Sequence, residues 1–108
     1  MRIVLSECDK SQDYEIDQVF LEWDTDIKRF VIKSASGCSC WDGEYEEQLC
    51  NTFKDVENSL ITSDERRYNP TLRGAVELVT IGREEAKKRK LPVGRRTVIV
   101  QKIIDNLK

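Results

Sequence analysis

Apolar and polar positions alternate from Tyr14 to Trp23. Val19, Leu21 and Trp23 fall on one face, Ile16 and Phe20 on the other. Asp24-Thr25-Asp26 is a turn signal, after which Lys28 to Ala35 resumes an extended pattern with Phe30 and Ile32 sharing a face. These segments predict a β-hairpin over residues 14–35 with a loop of roughly four residues. Met1 to Leu5 predicts a short edge strand and Ser6 to Asp13 a polar loop. Ser36-Gly37 breaks the second hairpin strand. Cys38-Ser39-Cys40-Trp41-Asp42-Gly43 follows as a compact loop or an irregular end to that strand.

From Asn51 the period changes from two to 3.6. Asn51 or Thr52 caps a helix on which Phe53, Val56, Leu60 and Ile61 recur at helical spacing. Thr62 to Arg67 is a polar connector. Asn69-Pro70 predicts the next start, with Asn as cap and Pro in the first turn. Leu72, Ala75, Val76 and Val79 then form one stripe, widened by Leu78 and Ile81. Gly74 and Gly82 each weaken this helix by about 1 kcal/mol relative to Ala and mark candidate sites of close packing. Leu91-Pro92-Val93-Gly94 stops it. In the last segment Thr97 to Val100 is β-branched like a strand, whereas Val100, Ile103, Ile104 and Leu107 keep helical spacing. The longer period favours a helix over 95–107. The expectation is an α+β fold, a small antiparallel sheet (hairpin 14–35 plus strand 1–5) covered on one face by about three helices.

The 108 residues suit one domain. With 39% hydrophobic and 35% charged residues, a packed core is expected rather than disorder. No apolar run approaches the length of a membrane span, and Met1 to Glu7 does not read as a signal peptide. A cytoplasmic protein is expected, one whose cysteines are kept reduced. Histidine is absent, which removes His-based triads and Cys2His2 sites. The net charge of −2 conceals a split. Residues 1–65, the β-rich half, carry a net −10, and residues 66–108, the helical half, carry a net +8. Halves packed together would neutralise each other; halves held apart would make a dipole that steers a charged partner.

Four clusters could carry chemistry. Cys38, Cys40 and Cys50, with Cys8 far upstream, offer thiolates for zinc, but the C-x-C spacing is not the usual C-x2-C knuckle. Packing of these thiols as small apolar groups is the competing reading. Trp41, Asp42, Glu44 and Glu46, with Glu47, form an acidic loop suited to a basic partner; the calcium-loop spacing is absent. Arg66, Arg67, Tyr68 and Arg73 surround the expected helix start and could hold a phosphate, with Tyr68 stacking on a base. Asp64 and Glu65 beside them offer ordinary pairing instead. Arg83, Lys87, Lys88, Arg89, Lys90, Arg95 and Arg96 form a denser basic cluster. It could contact phosphates, although it fits no helix-turn-helix, zinc finger or RRM signature, and the pI near 5.3 argues against strong nucleic-acid binding.

The segment Ala35-Ser36-Gly37-Cys38-Ser39-Cys40-Trp41-Asp42-Gly43, after an apolar strand and before a short helix, resembles a feature of small proteins encoded by bacteriophages. The resemblance spans residues 29–61 and its motif brings no activity with it. It implies a cytoplasmic accessory protein, a class that often binds a macromolecule to modify a host process. No phosphate-binding glycine loop, nucleophile elbow or H-E-x-x-H occurs, and no motif calls for a cofactor. A binding module is therefore favoured over an enzyme. Its expected partner is a protein met through charged surfaces; nucleic acid at the basic half and a metal at the cysteines are the alternatives. No membrane partner is expected, and the oligomeric state is left open.

Overall fold

β-branched and aromatic residues at alternate positions make the two central strands. In a computed structural model, which describes residues 1–38, 43–62 and 71–107, they are the middle of a four-stranded antiparallel sheet in the order β1-β2-β3-β4. β1 spans Arg2–Asp9, β2 Glu15–Asp24, β3 Arg29–Cys38 and β4 Glu46–Cys50. Val19 faces Ser34, Leu21 faces Ile32 and Trp23 faces Phe30 across β2 and β3. The Asp24 carboxylate closes the connecting turn by accepting the Asp26 and Ile27 amides, and Lys28 takes a left-handed φ of 56°.

Three expectations for the sheet are corrected. β1 continues to Asp9 instead of ending at Leu5. A bulge between Val4 and Ser6 breaks the alternation, so Leu5 and Ser6 are both buried. The Ser6 hydroxyl donates to the Leu78 carbonyl at 2.8 Å. β3 runs through Ser36-Gly37 because β2 offers partners as far as Glu15, which pairs with Cys38. Glu46 to Cys50, read within an acidic loop, is a short edge strand pairing Ser34 to Phe30. Its outward charges suit an edge that must stay unpaired by neighbours.

Three helices cover one face. α1 (Phe53–Glu57) begins at Thr52, whose hydroxyl accepts the Asp55 amide while the Asp55 carboxylate accepts the Thr52 amide; it continues as a wider π turn over Asn58–Thr62. α2 (Leu72–Lys88) is capped by Thr71, which accepts the Gly74 amide at 3.1 Å. The cap is thus two residues beyond the expected Asn69, which with Pro70 lies outside the described residues. α2 ends in paired bonds from Lys90 to the Lys87 carbonyl and from Leu91 to the Ala86 carbonyl, with Lys90 left-handed at φ 60°. α3 (Val98–Asn106), capped by Thr97, settles the last segment as helix.

The core lies between sheet and helices. Leu21, Phe30, Ile32, Phe53, Val56, Val79, Ala86 and Val100 have no exposed surface. Phe30 meets Trp23 and Phe53 edge-to-face, at 4.7 and 5.3 Å between ring centroids. Among the described residues no helix is long and apolar enough to cross a membrane.

Candidate binding cleft

Glu57 is the position that decides the site. It sits four residues after Phe53, so the helical period carries it onto the buried face of α1, where it is 1% exposed. A buried carboxylate needs charged partners. Arg83 of α2 donates to it through Nη1 at 3.2 Å, and Arg96, just before α3, donates through Nε at 2.6 Å. Arg83 also donates to the Gly94 carbonyl through Nη2 and lies over the Phe53 ring, its Cζ 5.7 Å from the centroid. Gly94 has φ +64°, a conformation that favours glycine, and this lets the loop between α2 and α3 turn its carbonyl to the guanidinium. Gln101 accepts from Arg96 Nη1 at 3.4 Å. Two guanidinium groups are thereby fixed by one buried anion.

Beside this triad opens a cleft of about 490 Å³. Its cations are Arg83, Arg95, Arg96 and Lys102; Thr97, Val98 and Gln101 complete most of the wall, and no carboxylate lines it among the described residues. Glu57 offsets one of the four charges, which leaves a net of about +3 among the lining groups and their buried partner. Val98 brings an apolar side chain to this wall and is 70% exposed; Ile99, next in sequence and 65% exposed, does not line the cleft.

The other predicted basic residues spread out. Lys87 follows Arg83 by one helical turn and continues the basic side of α2; it is exposed and lies 3.9 Å from Glu84. Lys88 is exposed at the helix end. Arg73 lies in the first turn of α2, about 15 Å along the axis from Arg83, and does not join the cleft. Arg66, Arg67 and Tyr68 lie outside the described residues, as do Trp41, Asp42 and Cys40. Glu57, Gln101 and Lys102 were not singled out from the sequence. The signal was there for Glu57, a lone charge in register with Phe53 and close to Val56 on an apolar stripe.

Side chains of β4 join a charged network on the uncovered sheet face. Glu44, Glu46 and Glu47 are exposed, and Glu47 accepts two bonds from Arg2, at 3.1 and 3.2 Å. Arg2 reaches Glu22 and Asp24 as well, at 3.3 and 2.6 Å. Lys33 completes the network: it pairs with Glu22 at 3.4 Å and sits between the Phe20 and Tyr45 rings, 5.1 and 4.8 Å from their centroids. The Arg2 guanidinium, followed by amides of the turn, holds the Asp24 carboxyl below the usual range.

Among the described residues the cysteines do not converge. Cys50 pairs with Phe30 at one end of β3 and Cys38 is at the other, about 26 Å away along the strand. Burial, and then the Asp55 charge, push the Cys50 thiol up to about 11, which favours the neutral form over a thiolate ligand. No group of three potential metal ligands occurs among the described residues. No protein family, curated protein or solved structure matches the chain.

Proposed function

We propose that the protein is a binding module that docks an anionic stretch of a host or phage macromolecule in the cleft between α2 and α3. The convergence of Arg83, Arg95, Arg96 and Lys102 on a wall that has no carboxylate among the described residues carries this reading. Fixed guanidinium groups favour carboxylate or phosphate because their donors are already oriented, so less ordering is needed on binding. Arg95 and Lys102 have no ion pair among the described residues, which leaves their charge to the partner. The charge split along the chain gives the cleft its local sign within an acidic protein.

The test is fluorescence anisotropy with labelled polyglutamate as the probe, at about 50 mM salt. Binding should be measurable, should weaken as salt is raised, and should fall by about tenfold or more in the doubly reversed protein Arg95→Glu, Lys102→Glu. Unchanged binding in that variant, or no binding to polyglutamate or oligo-dT by the wild type, rejects the cleft. Oligo-dT serves the second reading, nucleic acid, which the same cations support through phosphate contacts.

A further inference from the structure

The cleft combines its charge with an exposed aliphatic side chain, Val98, and that combination narrows the partner. Val98 and Ile99 occupy the first turn of α3, where β-branched residues are poor helix formers and gain nothing by staying in water. Val98 itself lines the cleft, one turn from Lys102 on the same helix side. Scattered exposed aliphatics are ordinary, but Val98 in the wall of a cationic cleft, with exposed Ile99 beside it in sequence, has the form of an interface. Among the described residues no aromatic ring lines the cleft, so none of them offers bases a surface to stack on. A duplex backbone would use the cations and leave the aliphatic pair wet. A flat lipid surface would meet the rim and leave the cleft, with Arg83 and Arg96 87% and 83% buried in it, out of reach.

Resting on the anion-binding reading above, we propose that the occupant is an acidic protein segment carrying an aliphatic anchor. Its carboxylates meet Arg95, Arg96 and Lys102, and one leucine-like side chain between them covers Val98 and Ile99. Charge complementarity selects the segment, and the anchor distinguishes it from other polyanions.

Anisotropy with a labelled Glu-Glu-Leu-Glu-Glu peptide tests this, beside the same peptide with Ser for Leu. The Leu peptide should bind about tenfold tighter. Val98→Ser with Ile99→Ser, surface changes that leave the core intact, should erase that preference. Equal affinity for the two peptides overturns the anchor and leaves the anion-binding reading standing. Tighter binding to oligo-dT or to phosphatidylserine vesicles overturns the proposal in favour of those ligands. A sedimentation mass that rises with concentration, and no longer rises in the double variant, assigns the face to a second copy and overturns it too. Failure of every probe rejects both readings.

Discussion

Replacing Glu57 with Gln removes the buried anion and leaves the packing volume almost unchanged. The side chain is 1% exposed, and its partners Arg83 and Arg96 are 13% and 17% exposed. Removing one member of a buried ion pair costs about 3–5 kcal/mol, because the remaining charge is left desolvated. Two cations are stranded here, yet each keeps an edge in solvent, and the Gln carbonyl can still accept one bond. The loss should be about 2–3 kcal/mol. For a domain near 100 residues 1 kcal/mol shifts Tm by about 4–8 °C, and the lower end applies to the longer chain. Thermal unfolding followed by circular dichroism at neutral pH should show Tm lower by roughly 8–15 °C. The companion Glu57→Ala, which adds a cavity, should fall further. A Glu57→Gln protein melting within about 2 °C of wild type would refute the reasoning, since the anion would then not be holding the two guanidinium groups.

Gly82→Ala should destabilise, although helix propensity alone predicts a gain of about 1 kcal/mol. An added Cβ would lie 2.5 Å from Leu21 Cδ2 and 2.9 Å from Ser6 Oγ, with Leu21 fully buried, so overpacking of about 1–3 kcal/mol and damage to the Ser6 bond outweigh it; a raised midpoint in urea would contradict this. Iodoacetamide at mildly alkaline pH should label exposed Cys38 well before Cys50, whose thiol is buried and pushed up to about 11; equal rates by peptide mass mapping would be the failing result. The Asp24 carboxyl titrates below its unfolded value, so its contribution is complete above about pH 4 and is lost as pH falls through the lower folded value. Asp24→Asn should therefore flatten the decline of Tm on acidification, and parallel curves for variant and wild type would disprove the assignment.

Local patterns with a single cause were legible in the sequence. The β2–β3 hairpin follows from alternation around an Asp turn, α1 from the helical spacing of Phe53 and Val56 after a cap at Asn51 or Thr52, and α3 from a 3.6 period that outlasts four β-branched residues. What tertiary contacts decide was not. The bulge in β1 buries Ser6 because α2 supplies a carbonyl for it. β4 is held by a partner strand and by Arg2 bonding to Glu47, so its five residues carry little strand signal alone. The density of cations in the basic half was visible, but which of them share a cleft depends on the α2–α3 turn at Gly94. Arg73, equally basic in sequence, is carried away by the length of α2. Glu57 shows the remaining gap: its register was readable, whereas the two arginines that justify its burial lie 26 and 39 residues further along the chain.

The most direct test of the cleft is a backbone-amide NMR titration of the wild-type protein with polyglutamate. The account predicts shift changes concentrated from Gly94 to Lys102 and around Arg83, with Arg73 and the uncovered sheet face unmoved. Changes confined to other surfaces, or none, would contradict it.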